Sequence, residues 1–169
     1  IRGLVGSEMC IRDRSISVAS GATLWVDRSD DGALTNALTL NGGTLRGTNG
    51  FGQYWDGNIT LGAHSTIKAA NNFYIDGVIS GSSKNLTKTG NGTVILRGTN
   101  TYSGTTIVSA GTLNIGGSGS LGSGTYAGNI SNSGTFTYAS STAQTLSGVI
   151  SGSGAVSYTH LRAHETAYY

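Results

Sequence analysis

Short apolar pieces separated by turn-forming residues run the length of this chain. The clearest stretch is Asn85–Gly116, NLTKTGNGTVILRGTNTYSGTTIVSAGTLNIG. Its apolar pieces are Val94–Leu96, Ile107–Val108 and Leu113–Ile115, with Gly, Asn, Thr and Ser between them. Pieces this short, rich in β-branched residues and bounded by turn formers, predict strands and not helices. The stretch has no Pro, Glu or Met, and Ala110 is its only Ala, so little in it favours a helix. Period-two alternation agrees: Thr93 and Ile95 alternate with Val94 and Leu96, and Thr135 and Thr137 with Phe136 and Tyr138. The order strand, Gly turn, strand, Gly turn recurs, which predicts a solenoid in place of a closed sandwich.

Two peptides return at one spacing. Gly57-Asn58-Ile59 recurs as Gly128-Asn129-Ile130, and Gly77–Ser82 (GVISGS) as Gly148–Ser153, both 71 positions on. The equal spacing predicts duplicated structure, with a second partial repeat starting near Leu146. Shorter echoes at Ser20–Leu24, Gly42–Leu45, Ala110–Leu113 and Ser133–Phe136 each place a Gly turn before a Thr-apolar strand start. Coils of about 20–25 residues would give roughly six turns of a parallel β-helix. Its expected interior is Val18, Leu24, Val26, Leu38, Leu40, Leu45, Ile59, Leu61, Ile67, Ile75, Ile79, Leu86, Val94, Leu96, Ile107, Leu113, Ile115, Ile130, Phe136, Leu146 and Ile150. Gly is expected at tight corners. Asn58, Asn91, Asn100 and Asn129 are expected at corners too, tolerating left-handed backbone and laddering through their amides. Disorder is the lesser alternative to the solenoid and centres on Gly116–Gly124, which is nearly all Gly and Ser.

The two ends differ from the middle. They hold the only Cys (Cys10), the only Met (Met9), both Glu (Glu8 and Glu165) and two of the three His (His160 and His164). Back-translated as GTC TCT TAT ACA CAT CTC CGA GCC CAC GAG, Val156–Glu165 has a reverse complement that encodes Leu4–Asp13 residue for residue. A DNA fragment flanked by one inverted adapter gives this relation, and the end peptides resemble translated sequencing-adapter sequence. The reading therefore divides the chain into adapter-like 1–14, a β-helix body 15–155 with repeat core 85–116, and adapter-like 156–169. This sets aside Cys10 as a redox or metal site. It also sets aside His160 and His164, whose i, i+4 spacing would otherwise suggest a zinc pair.

Residues 15–155 carry six basic side chains (Arg28, Arg46, Lys68, Lys84, Lys88, Arg97) and five acidic ones (Asp27, Asp30, Asp31, Asp56, Asp76). This near balance points to no nucleic-acid or anionic-membrane partner. With Cys10 set aside, no disulfide can staple the body. Neither a signal peptide nor a transmembrane run is visible, and an internal fragment would show neither. Gly117–Gly122 satisfies G-x-G-x-x-G but lacks a following helix and acidic residue, so no dinucleotide cofactor is expected. Leu121 stands where a calcium nonapeptide needs Asp, and His64 is alone in the body, so no metal is expected either. The one acidic cluster is Asp27, Asp30 and Asp31, a candidate for acid/base work on polysaccharide and equally an ordinary turn. Phe51, Tyr54 and Trp55, in FGQYW, form the candidate binding patch for sugar or protein, with coil packing as the plain alternative.

The run LTKTGNGTVIL followed by GTNTYSGTTIVSAGTL resembles the passenger-associated repeat of bacterial autotransporters over nearly thirty residues. The resemblance implies a right-handed parallel β-helix within the passenger of a type V secretion precursor. It further implies a signal peptide before this region, the chain's own outer-membrane β-barrel after it, and display or release at the bacterial surface, with no catalytic, metal or cofactor site in this segment. A ligand on a host or neighbouring cell is the further partner it suggests. The reading that follows is a structural, adhesin-like stalk segment that assists passenger folding and export. A polysaccharide-acting β-helix enzyme using Asp27, Asp30 and Asp31, and a glycan- or protein-binding module using FGQYW, are its competitors.

Overall fold

Strands form wherever two to six residues rich in Thr, Val, Ile, Leu and aromatics fall between corners of Gly, Asn and Ser. A computed structural model of the chain describes residues 14–27, 33–48 and 52–159. The first coil holds β1 (Ile16–Ala19) and β2 (Thr23–Val26), and the second β3 (Leu38–Asn41), β4 (Thr44–Gly47) and β5 (Gln53–Trp55). The third holds β6 (Ile59–Leu61), β7 (Ser65–Ala69) and β8 (Phe73–Ile75). The fourth holds β9 (Ile79–Ser80), β10 (Leu86–Thr89) and β11 (Thr93–Leu96), and the fifth β12 (Thr106–Val108) and β13 (Thr112–Gly117). A 3-10 turn at Gly122–Gly124 precedes β14 (Thr125–Tyr126), β15 (Ile130–Asn132) and β16 (Thr135–Ser140). The last coil holds β17 (Thr145–Leu146), β18 (Ile150–Ser151) and β19 (Ala155–Tyr158).

Each strand pairs in parallel with its equivalent in the neighbouring coil. The first face stacks β1, β3, β6 and β9. The second stacks β2, β4, β7, β10, β12, β15 and β18, and the third β5, β8, β11, β13, β16 and β19; β14 and β17 form a short separate ladder. The result is the all-β parallel solenoid expected from the pattern, with about six turns. Coil length is not constant. Leu86 pairs with Thr106, 20 positions on, but Thr106 pairs with Ile130, 24 positions on. The longer step holds the Gly/Ser segment, which is ordered: Gly116 and Gly117 end β13, and Ser120 and Leu121 are buried.

The interior is a set of columns running along the axis. Leu38 pairs with Ile59 and Ile59 with Ile79 on the first face; Leu45 pairs with Ile67 on the second. On the third face Phe73, Val94, Leu113 and Phe136 form one column, and Ile75, Leu96, Ile115 and Tyr138 another. All of these side chains are buried, each contributing about 1.5–3 kcal/mol by leaving water. Gly47 opens space for the stack, since a Cβ there would lie 2.8 Å from Cγ of Phe73.

Four residues expected inside are not fully there. Leu24 and Leu146 are half-buried and Ile150 is exposed, all three in the outermost described coils on the second face or its corner, where one side of the stack is open. Ile107 faces outward because β12 turns Thr106 and Val108 in, and Thr106 has buried hydrogen-bond partners that hold it there. Conversely, Trp55, Tyr102, Tyr126, Phe73 and Lys88 fill the interior.

Two further expectations change form. The 71-residue repeat does not reproduce position in the fold: Ile59 and Ile79 lie on the first face, whereas Ile130 and Ile150 lie on the second. A spacing of 71 is not a whole number of coils, so the peptide specifies a corner and strand start but not a face. Asn at corners acts through its amide alone. Among the described residues only Ser83 and Ser123, besides Gly, have positive φ. Asn58 Oδ1 accepts from Val78 N at 3.1 Å and Asn129 Oδ1 from Val149 N at 3.0 Å, each joining one coil to the next.

Leu96→Ala is expected to destabilise the chain by about 2–5 kcal/mol, and Ile107→Ala by under about 1 kcal/mol. Urea unfolding followed by circular dichroism compares the two. Equal losses would contradict the outward placement of Ile107.

Candidate functional site

The strongest concentration of unusual side chains is in the coil from β10 to β13. Alternation along Leu86-Thr87-Lys88-Thr89 puts Lys88 in the same inward column as Ile67 and Val108. It is 1% exposed. Its ammonium donates to Thr89 O at 3.0 Å, Gly90 O at 2.7 Å and Ala110 O at 2.9 Å. Three N–H donors thus meet three carbonyl acceptors, which is the full capacity of a protonated lysine. The contacts bolt the corner after β10 to the corresponding corner one coil on. Burial lowers the Lys88 pKa from 10.5 to about 8, leaving the ammonium protonated at neutral pH. Gly111 closes the same corner at φ +65°, where a Cβ would lie 2.4 Å from Gly90 O, 2.5 Å from Gly92 O and 2.8 Å from Lys88 Nζ.

The opposite corner of this coil is held by Asn100, which is fully buried. Its Oδ1 accepts from Ile79 N at 3.0 Å; its Nδ2 donates to Gly98 O at 2.8 Å and Ser120 O at 3.1 Å. One amide therefore ties together the coils before and after its own. Beside it, Tyr102 OH and Thr106 Oγ1 are 2.8 Å apart, as are Thr106 Oγ1 and Tyr126 OH, and Tyr126 OH donates to Gly104 O. The terminal carbonyl can only accept, so the proton order runs Tyr102 to Thr106 to Tyr126 to Gly104. Burial raises the pKa of both phenols, that of Tyr102 most, and both stay neutral. Asn85 adds a further tie, its Oδ1 accepting from Thr105 N at 2.9 Å.

The aromatic patch expected at Phe51, Tyr54 and Trp55 is not formed as one surface. Phe51 lies outside the described residues. Trp55 is fully buried, because β5 turns Gln53 and Trp55 inward and Tyr54 outward. Tyr54 stacks on Tyr74 with centroids 4.6 Å apart and planes 8° apart. Arg97, 4.8 Å from the Tyr74 centroid, also grips Asp76 through Nε–Oδ1 at 2.6 Å and Nη2–Oδ2 at 2.5 Å. This is a brace across three coils of the third face. The Asp56 carboxyl nearby has its pKa raised by burial and by the charge of Asp76, with Arg97 opposing.

Of the expected acidic cluster, Asp27 is exposed and accepts from Thr48 Oγ1 at 2.8 Å; Asp30 and Asp31 lie outside the described residues, as do Cys10, His160 and His164. His64 Nδ1 accepts from Asn85 N at 2.9 Å, a role within the coil stack. Among the described residues no three His, Cys, Asp or Glu side chains gather to hold a metal, and no helix is long and apolar enough to cross a membrane.

What the fold and this interior define is a parallel β-solenoid whose coils are cross-tied by buried polar side chains, Lys88 and Asn100 among them. Residues 86–115, which carry Lys88, its three acceptors, Asn100, Tyr102 and Thr106, match the family described as Passenger-associated-transport-repeat. Over 122 residues the chain is 39% identical to the adhesin BmaC autotransporter of Brucella suis biovar 1 (strain 1330), covering 64% of this chain and 4% of that protein. The chain bears this repeat and is similar to an autotransporter adhesin passenger, and it spans a small part of the length of the curated relative it matches. No solved structure matches it significantly.

The Lys88 pKa is lower folded than unfolded, so between about pH 8 and 10.5 the unfolded chain binds more protons, and stability rises with pH across that window. From about pH 10 the raised pKa values of Tyr102 and Tyr126 oppose that rise, since the unfolded phenols ionise first, and beyond the Lys88 window stability falls. Lys88→Met is expected to abolish the rise and leave the later fall, as read by chemical unfolding across pH 7–11. Gly111→Ala is expected to lose roughly 3 kcal/mol or more through backbone strain and collision with carbonyls. Gly21→Ala, also at positive φ but with open space around it, is expected to lose only about 1–2 kcal/mol.

Proposed function

We propose that this chain is a structural β-helical stalk segment of an adhesin-like autotransporter, displayed at or released from the bacterial surface, and that residues 86–115 assist its folding and export. The observation carrying the proposal is the set of ties made by Lys88 and Asn100. Both side chains belong to the matched repeat; Lys88 joins two of its corners, and Asn100 joins it to Ile79 in the coil before and Ser120 in the coil after. In a solenoid, stability is a sum of coil terms and neighbour terms, so folding can nucleate at one coil and spread. A coil with polar ties at two corners is suited to be that nucleus. As the chain emerges from its own outer-membrane β-barrel, each added coil buries several apolar side chains. Each contributes about 1.5–3 kcal/mol against sliding back. Two of the three described acids fit a stalk: Asp76 is locked to Arg97, and Asp27 is hydrogen-bonded to Thr48. A ligand on a host or neighbouring cell belongs to the adhesin-like part of the reading.

The test restores this segment within its parent precursor, with signal peptide and barrel, and introduces Lys88→Met together with Asn100→Ala. Surface display, measured as accessibility to added protease against total protein, is expected to fall several-fold. If display is unchanged while the purified variant is clearly less stable, the export role is lost and only the stalk remains.

A further inference from the structure

The outer side of the second face carries a strip that the stalk role does not use. Strand pairing aligns Trp25 with Arg46 and Arg46 with Lys68, one residue per coil along the axis. Trp25 is 58% exposed although it is a large hydrophobic side chain. The Arg46 guanidinium lies 4.1 Å from the centroid of the indole, and Arg46 Nε is buried without a hydrogen-bond partner. Lys68, on the next coil, is exposed and makes no ion pair among the described residues. Arg46 and Lys68 therefore stand on adjacent strands, whose backbones are about 4.8 Å apart in the ladder direction, and among the described residues no carboxylate is bound to either. Two positions earlier on the same strands, Thr23, Thr44 and Thr66 pair in turn, and Thr66 pairs with Thr87, giving a column of outward hydroxyls beside the cations. Among the described residues Asp27, just past β2, is the acid next to Trp25 in the chain, and it accepts a hydrogen bond from Thr48.

We infer that this strip binds a linear anionic polysaccharide lying along the solenoid axis. Trp25 offers a flat apolar face for a sugar ring, Arg46 a planar donor fork for a carboxylate or sulfate, and Lys68 a second cation one coil further on. The threonine column supplies hydroxyls at the same axial period as the charges. A protein partner fits less well. Among the described residues Trp25 is the one large apolar side chain exposed on this part of the face, whereas a stable protein interface buries roughly 800 Å² on each side around an apolar centre.

Trp55 is buried and Trp25 exposed, so quenching of tryptophan emission reports on the strip itself. The full chain is titrated with an oligogalacturonate, a sulfated oligosaccharide of the heparin type, a neutral cello-oligosaccharide, poly-glutamate and a single-stranded DNA oligomer. Saturable quenching by one or both anionic sugars is expected, weakening as salt is raised, with which of the two binds distinguishing carboxylate from sulfate recognition. Arg46→Gln and Lys68→Gln are each expected to weaken binding roughly three- to fivefold. Trp25→Ala, followed by calorimetry, should weaken it as well, and Lys84→Gln should not. Circular dichroism shows that each variant keeps its strands. The inference is overturned if neither anionic sugar binds, or if the neutral sugar binds equally. Poly-glutamate or DNA binding as tightly as the sugars would also overturn it, as would binding indifferent to Trp25, Arg46 and Lys68.

Discussion

The parallel ladder between successive coils is the constraint from which everything else follows. Each strand exchanges backbone hydrogen bonds with the coils on both sides: Leu38 N donates to Asn58 O and Leu86 N to Thr105 O in the coil after, while Thr66 N donates to Gly43 O and Arg97 N to Ile75 O in the coil before. Because strand side chains alternate, fixing the register of one strand also fixes which residues face inward on the next. A slip of one position would turn Ile75, Leu96 and Ile115 to solvent together. The apolar columns and the backbone ladders therefore enforce one another, and a chain with few charges holds a regular stack of coils.

That constraint explains why the stack buries polar side chains, Lys88, Asn100 and Thr106 of the repeat among them. Corners between strands leave carbonyl and amide groups without ladder partners, and in a stacked fold the inner ones cannot reach water. Lys88 supplies three donors to three such carbonyls, and Asn100 supplies both donor and acceptor. Burying an ammonium is costly, and the lowered pKa of Lys88 measures part of that cost. Thr89, Gly90 and Ala110 carbonyls offset it because all three N–H groups are used. The tyrosine chain through Thr106 serves the coil after it in the same manner, since Tyr126 belongs to the next turn.

The outer faces are different in kind. On the third face Tyr54, Tyr74, Arg97 and Asp76 satisfy one another across three coils, so their chemistry is spent on bracing. On the second face Trp25, Arg46 and Lys68 are brought into line by the same ladder without mutual satisfaction. A stalk and a binding strip can share one scaffold because stacking uses the inner side chains and leaves the outer ones free to vary.

The sequence by itself determined the strand content, the Gly and Asn corners, the solenoid class and most of the apolar columns. These depend on local alternation and turn chemistry, which are written in consecutive residues. It did not determine which face a peptide occupies: Ile59 and Ile130 begin the same three-residue motif yet lie on different faces, because coil length decides that and varies from one turn to the next. Nor did it reveal that Lys88 and Trp55 lie inside and Ile107 outside. Charge, aromatic size and hydrophobicity suggested otherwise, while the alternation that places Lys88 beside Leu86 was already there to be read. Only the tertiary structure decided those positions, since a buried lysine is stable only where carbonyls from two coils converge. The alignment of Trp25, Arg46 and Lys68 was invisible for a related reason: residues more than twenty positions apart become neighbours only when the register of the stack is fixed.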